Sequence, residues 1–170
     1  GGEADRDLAY MARMNASVRE VSHGVMAELS GTVSPVSKAL TSPKTDKACV
    51  YYRYLVERRE THRDAKGRSS TSWVTVSNSV MGVPAYLDDG TGKILLDLSD
   101  GRIVEARKTF EATEQGGGIS GKVLGFDVSV GSQPMRHTEY AIEAGETLYA
   151  LGLVRQDERG GYALVNPGDD

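Results

Sequence analysis

The sequence predicts an all-β protein, mainly antiparallel, built as a small β-barrel or sandwich with an N-terminal helical lead. Twenty glycines against eleven aromatic residues (one Trp, eight Tyr and two Phe) indicate many tight turns. Several short runs alternate apolar and polar residues, which is the period of a half-buried strand. Gly, Pro and Asp clusters separate these runs at the spacing of a small barrel or sandwich. An OB-like barrel is one form that fits this pattern.

Composition and charge exclude several classes of protein. The 170 residues include 39% hydrophobic and 26% charged residues, which suits one folded globular chain and excludes a disordered or fibrous one. The net charge of −4 argues against a dedicated nucleic-acid binder, because such proteins usually carry a basic excess. No apolar run approaches the roughly 18–20 residues that span a bilayer.

The single cysteine, Cys49, excludes a further group of folds. One thiol cannot form an intramolecular disulfide, and no CxxC pair is present to hold a structural zinc ion. A RING finger, a zinc ribbon and an iron–sulfur site are therefore excluded. Cys49 stands in an apolar, strand-like run, which favours a buried, unreactive thiol over a reactive one.

The chain begins with a polar, helix-prone lead, which we place at residues 1–24. Leu8, Met11, Ala12 and Ala16 recur at helical spacing. This lead is either a helix docked on the domain or a connector. We expect one β domain over residues 25–166 and a short tail at 167–170.

Strand signals begin at Val25. Residues 49–57 form the strongest predicted strand, since both of its faces carry apolar residues. Residues 58–72 are charged and rich in Ser and Thr, which predicts a mobile hairpin end, and the strand pattern resumes at Trp73.

The second half continues in the same way. Residues 84–98 predict a β-hairpin around a Gly-containing loop. Residues 103–115 fit neither period, whereas residues 123–130 resemble one strand. Two more strands are expected at residues 147–154 and 162–165, after turns at 143–146 and 157–161.

Two glycine-rich motifs resemble ligand sites without meeting their requirements. Residues 116–122 match both G-x-G-x-x-G and G-x-x-x-x-G-K, but Val123 stands where a phosphate loop needs Ser or Thr, and a strand pattern follows instead of a helix. Residues 88–93 resemble a calcium loop, yet Ser99 occupies the position of its final glutamate. We therefore expect no cofactor and no metal ion.

No catalytic motif is present. The three histidines lack metal-ligand spacing, and neither H-E-x-x-H nor G-x-S-x-G occurs. His137 is the best candidate for polar pairing, and a structural hydrogen bond to Glu139 or to the backbone is favoured over catalysis. We expect no enzymatic activity and no catalytic residues.

One local basic cluster follows the strongest strand, at Arg53 and residues 58–68. Beside Tyr51 and its neighbouring tyrosines, these cations could bind nucleic acid or oligosaccharide by stacking and charge. The acidic residues in the same stretch favour the simpler interpretation, a solvated strand extension. Long polar loops at 58–72 and 112–122 are the expected contact areas. The candidate binding residues are Tyr51, Arg53, Arg58, Arg59, Arg63, Trp73 and His137.

The order of several segments resembles the GIDE domain, also called BAM ("beside a membrane"). Each segment alone is a weak signal, but together they extend over about residues 25–165. They are residues 29–33, 40–43 and 49–54, then Trp73, the 84–98 hairpin, and residues 139–152.

This resemblance implies a function class. In the GIDE family the domain usually lies between transmembrane helices, and the best-known member is a mitochondrial outer-membrane E3 ubiquitin ligase. There the domain binds partner proteins, whereas ligase chemistry resides in a separate RING finger. Bacterial and archaeal members have no RING. The resemblance thus implies a membrane-associated, ligase-like protein whose soluble part is a non-catalytic protein-interaction module. Residues 3–20 would be the juxtamembrane connector, and the family transfers no catalytic residues.

Overall fold

The computed structural model describes residues 16–99, 101–115, 118–131 and 133–169, and these are all-β as predicted. The only helical segments in this part of the chain are two short 3-10 turns, Val18–Glu20 and Pro167–Asp169. Most of the predicted helical lead lies outside the described residues.

The described residues contain twelve strands and form two compact units. The first unit comprises the described part of Gly1–Tyr52, Val80–Arg107 and Ala141–Asp170, and the second that of Arg53–Ser79 and Lys108–Tyr140. The predicted boundaries after residues 24 and 166 stay a prediction. The strands are β1 (Met26–Pro35), β2 (Leu40–Thr41), β3 (Ala48–Arg63), β4 (Ser69–Gly82), β5 (Ala85–Asp88), β6 (Lys93–Leu96), β7 (Arg107–Glu114), β8 (Gly118–Val123), β9 (Phe126–Gly131), β10 (Met135–Glu143), β11 (Thr147–Gln156) and β12 (Tyr162–Val165).

The first unit contains a closed barrel, which confirms the predicted architecture. Its strand order is β1-β11-β12-β6-β5, and β1 closes the circle by pairing with both β11 and β5. Met26 to Thr32 pair with β11, whereas Thr32 to Pro35 pair with β5. All neighbours are antiparallel except β12 and β6, which run parallel.

Gly31 lies where β1 changes partner. A Cβ atom at this position would lie 2.4 Å from the carbonyl oxygen of Asp88. Because carbon and oxygen cannot approach so closely without strain, only glycine fits here. The change of partner that closes the barrel thus depends on a residue without a side chain.

The barrel core consists of inward-facing residues from every barrel strand. On β1, Ala27, Leu29 and Val33 are buried at alternating positions, as the period-two pattern predicts. Cys49 is also buried, with 0% of its surface exposed, in agreement with the prediction. The largest fully buried aliphatic side chains are Leu29, Leu87, Ile94, Leu96, Leu98, Ile142 and Leu164.

The predicted hairpin at residues 84–98 is confirmed as β5 and β6, and Asp89 organises its loop. One Asp89 carboxylate oxygen accepts hydrogen bonds from the Thr91 amide (2.9 Å) and hydroxyl (2.6 Å), and the other from the Val18 amide (2.7 Å). Burial acts to raise the pKa of Asp89, but the hydrogen bonds from Thr91, Val18 and Gly92 together outweigh it and lower the pKa. The ionised carboxylate therefore helps hold this loop and the 3-10 turn at Val18 in place.

The second unit contains parts of a five-stranded sheet. This sheet has the order β2-β3-β10-β7, with β4 paired to β3, and β8 with β9 forms a separate two-stranded sheet. The second unit includes parts of four of its strands: residues 53–63 of β3, 69–79 of β4, 108–114 of β7 and 135–140 of β10.

The predicted long loop at residues 58–72 is wrong in its extent. Strand β3 continues to Arg63 and β4 begins at Ser69, so only residues 64–68 form the turn. The stretch is polar because its side chains are exposed, not because its backbone lacks a partner. Backbone pairing between two strands needs no apolar residue, and hydropathy therefore gave no sign of it.

Two further corrections concern the glycine-rich region. The run at residues 123–130 is not one strand, since a turn at Leu124 and Gly125 separates β8 from β9. Both turn residues have positive φ, 53° and 83°, as in the two-residue turns that join antiparallel strands. The predicted loop at 112–122 likewise contains the end of β7 and most of β8. Gly116 and Gly117 lie outside the described residues.

Candidate binding surface

One face of the sheet in the second unit places arginines against aromatic rings. The Arg136 guanidinium lies over the Trp73 ring, with its Cζ atom 4.3 Å from the ring centroid. Its Nε donates to a Glu57 carboxylate oxygen at 2.9 Å. The Arg136 side chain is 28% exposed and that of Glu57 13%, so this pair is largely shielded from water.

A second arginine is held in a similar way on this face. Arg53 lies over the Tyr140 ring at 5.5 Å from the centroid, and its Nε donates to the Asn78 side-chain oxygen at 2.9 Å. Stacking of this kind is attractive because the face of an aromatic ring carries partial negative charge. We define the arginine–aromatic face as Arg53, Glu57, Trp73, Arg136 and Tyr140.

The spacing of these residues explains why they meet. Arg53 and Glu57 are four residues apart on β3, and Arg136 and Tyr140 are four apart on β10. Even spacing places strand residues on one face. The hydrogen bond from Arg136 to Glu57 raises the pKa of Arg136 and so favours its charged form.

The opposite face of β10 carries His137. Its Nδ1 is hydrogen-bonded to the Tyr54 hydroxyl at 2.5 Å, and the two rings stack with their centroids 5.9 Å apart. Its Nε2 is buried, has no hydrogen-bond partner among the residues that the structure describes, and lies 3.6 Å from a Glu114 carboxylate oxygen. The expected partner Glu139 is fully buried and accepts a hydrogen bond from the Thr109 hydroxyl at 2.6 Å. His137 thus has a structural hydrogen bond, although to Tyr54 rather than to Glu139.

The end of the β3–β4 hairpin, residues 58–72, forms what we call the basic ribbon. Asp64 organises its turn. The Asp64 Oδ1 atom accepts hydrogen bonds from the backbone amides of Lys66 (2.9 Å) and Arg68 (2.8 Å), and Oδ2 accepts one from the Arg68 side chain. Gly67 adopts φ 77°, a conformation that favours glycine. These contacts give the turn a defined geometry.

The two faces of the basic ribbon differ in charge. On one face of β3, a Glu60 carboxylate oxygen lies 2.7 Å from the Arg58 guanidinium and offsets its charge, and the other lies 3.5 Å from the His62 Nε2 atom. On the other face, Arg59 and Arg63 have no ion pair with any residue that the structure describes. Arg59 and Arg63 are exposed. Because they lie two and six residues beyond Glu57, they belong to the same side as the arginine–aromatic face.

The predicted binding residues separate into two groups. Tyr51 lies in the core of the barrel unit and is 6% exposed, so its ring cannot stack on a ligand from solvent. The remaining six lie in the second unit. Sequence reasoning missed Glu57, Arg136 and Tyr140, although the four-residue spacing in both strands was a usable signal. The six are Arg53, Arg58, Arg59, Arg63, Trp73 and His137.

Among the described residues, no group of three or more His, Cys, Asp or Glu side chains is arranged to hold a metal ion. No helix within the described ranges is long and apolar enough to cross a membrane.

Comparison with known proteins identifies the family. The model of the GIDE family, described as E3 ubiquitin ligase, matches residues 54–169, which is more than half of the chain. The chain therefore belongs to the GIDE family, and the resemblance noted in the sequence is confirmed. No curated protein and no solved structure matches it.

Proposed function

We propose that this chain is a non-catalytic protein-interaction module, the soluble part of a membrane-anchored GIDE protein. The arginine–aromatic face carries this proposal. It presents two arginines, each of which already stacks on an aromatic ring and donates a hydrogen bond from its Nε atom. A surface that is ordered before binding loses little conformational entropy when a partner docks, and arginine and tryptophan are the residues that dominate many interfaces.

The chemistry available to the chain supports a non-catalytic role. Ligase activity of the RING type needs structural zinc, and each tetrahedral zinc site takes four Cys or His ligands. The whole chain has one Cys and three His. We propose that any ligase-like role within this family is fulfilled here by binding.

Site-specific photocrosslinking tests the interaction. A photoreactive residue at Thr61, between Arg59 and Arg63, is expected to give one discrete protein adduct in the source cell. The matched control places the same group at Lys38, an exposed residue of the barrel unit. Equal adduct patterns from both positions, or none from Thr61, would contradict the proposal.

Two further experiments test the remaining parts. In a reaction with ubiquitin, activating enzyme and a panel of conjugating enzymes, the 170-residue chain is expected to form no conjugates; chain-dependent conjugates would refute the non-catalytic role. The product of the complete reading frame is expected to stay in the membrane fraction after alkaline carbonate washing. Its release by carbonate would refute membrane anchoring.

A further inference from the structure

The basic ribbon and the arginine–aromatic face form a continuous series of cations along one side of β3. Arg53, Arg59 and Arg63 lie on this side, and Arg136 is added beside Glu57. Ten residues of strand separate Arg53 from Arg63, or about 33 Å at the rise of a β-strand. We call these four residues the arginine row.

The guanidinium groups of Arg53 and Arg136 are oriented for anion binding. Each uses one planar face to contact an aromatic ring and its Nε to hold a side-chain oxygen. Their terminal nitrogens make no hydrogen bond to the residues that the structure describes. These are the donors that bind a carboxylate at two points.

The charges of the other two members of the arginine row, Arg59 and Arg63, are not offset by any acidic side chain that the structure describes. Arg59 and Arg63 are exposed, and in the described ranges no acidic side chain pairs with them, whereas Arg58 on the opposite face of the ribbon pairs with Glu60. Residues 58–68 carry five Arg or Lys and two acidic residues, in a chain whose net charge is −4. The excess of positive charge is therefore local to this part of the chain.

Resting on the function proposed above, we infer that the arginine row binds an extended acidic segment of the partner protein. In an extended peptide, side chains on one side recur every second residue, about 7 Å apart. Measured along β3, the four cations of the row lie at positions 53, 57, 59 and 63, where Arg136 provides the cation beside Glu57. Neighbouring cations are four, two and four residues apart, and each of these spacings is a multiple of two residues. Carboxylates at alternate peptide positions can thus reach successive arginines.

Two other anionic partners fit these observations less well. Single-stranded nucleic acid is bound largely by stacking bases on open aromatic faces, and here guanidinium groups cover a face of both Trp73 and Tyr140. Elements that lie on a membrane surface combine cations with large apolar side chains that enter the headgroup region. None of the exposed large hydrophobic residues lies within residues 58–72.

Trp73 gives a direct measurement, because it is the only tryptophan in the chain. A twelve-residue peptide of alternating Glu and Ser is expected to change Trp73 fluorescence with saturation, and the matching Gln–Ser peptide is not. Replacing both exposed arginines, R59Q/R63Q, is expected to weaken peptide binding about fivefold or more, from the loss of two exposed charge pairs. Both side chains are exposed, so the fold should persist.

The control variant K38Q/R159Q removes the same charge from exposed positions of the barrel unit, and we expect unchanged affinity. An equal loss in both variants would show non-specific attraction and overturn the inference. So would tighter binding of a dT12 oligonucleotide or of phosphatidylserine vesicles. If crosslinking from Thr61 persists in R59Q/R63Q, the inference about the arginine row is refuted and the proposed function is not. If the peptide binds but Thr61 gives no adduct in the cell, the proposed function is refuted and the binding of acidic peptides by the row is not.

Discussion

At the scale of single residues, the second unit depends on a charge pair that is mostly shielded from water. Glu57 holds Arg136 at 2.9 Å, and Arg136 in turn covers Trp73. Removing one partner of such a pair leaves the other poorly solvated, which costs more than the pair itself contributes.

We therefore expect Glu57→Gln to lower the free energy of unfolding by about 1 kcal/mol. Urea unfolding followed by Trp73 fluorescence measures the change, since this ring lies beneath Arg136. Glu60→Gln is the matched control, because Glu60 pairs with Arg58 in solvent and such pairs contribute about 0–1 kcal/mol. A larger loss in E60Q than in E57Q would contradict the argument.

Asp89 links stability to pH at the barrel hairpin. Its hydrogen bonds from Thr91, Val18 and Gly92 outweigh the effect of burial and lower its folded pKa. A carboxyl group whose pKa is lowered by folding stabilises the protein above its unfolded pKa of about 3.9, and this contribution is lost as the pH falls through the folded value.

Asp89→Asn should accordingly destabilise the chain at pH 7, and the difference from the wild type should shrink below about pH 4. Urea unfolding at pH 7, 4 and 3 measures it. Glu158→Gln, an exposed turn position, serves as the control for loss of one carboxylate. A difference that stays constant with pH would mean that ionisation of Asp89 does not contribute.

At the scale of elements, the basic ribbon shows how a strand can be long without being apolar. Residues 58–63 and 69–72 belong to β3 and β4, yet they carry exposed polar and charged side chains. These residues bury little apolar surface. The ribbon therefore serves to present side chains rather than to build a core.

Shortening the ribbon tests this view. Replacing residues 58–72 with Asn-Gly, which suits a two-residue hairpin turn, should leave cooperative unfolding of the chain intact. Circular dichroism and urea unfolding measure the outcome. The full-length chain is the reference, and loss of a cooperative transition would show that the ribbon stabilises more than itself.

The elements also show what the sequence could and could not predict. The hairpin at 84–98 and the turns at 143–146 and 157–161 were predictable, because the apolar alternation ends there near Asp or Gly residues, which favour turns. The ribbon and the break at Leu124 were not. The first has no hydrophobic period, and in the second a leucine occupies a positive-φ position that Asn or Gly normally fills.

At the scale of the whole molecule, the division into two units was not predictable from composition. Strands β3, β4, β7 and β10 each contribute residues to both units, so neither a linker nor a change in composition marks the boundary. The arginine–aromatic face was missed for a related reason. Its residues come from the consecutive strands β3 and β4 and from β10, which is distant in sequence, and only strand pairing brings them together.

Cys49 allows opening of the barrel unit to be measured. Its side chain is fully buried, so a polar thiol reagent is expected to label it only when the unit opens. Labelling should be slow in buffer and should accelerate with urea in parallel with unfolding. A surface cysteine at Lys38 (K38C) in a C49S background provides the exposed reference. Equally fast labelling of Cys49 would contradict the buried environment.

The closure of the barrel through β1 has a consequence for chain cleavage. A cut between Lys66 and Gly67, at the exposed turn of the ribbon, would leave β1 on one fragment and β5, β6, β11 and β12 on the other. Seven residue pairs join β1 to β11 and four join it to β5, and every one of them joins the two fragments. The protein is thus built so that two separately expressed fragments could complement one another, with the first supplying the strand that completes the barrel.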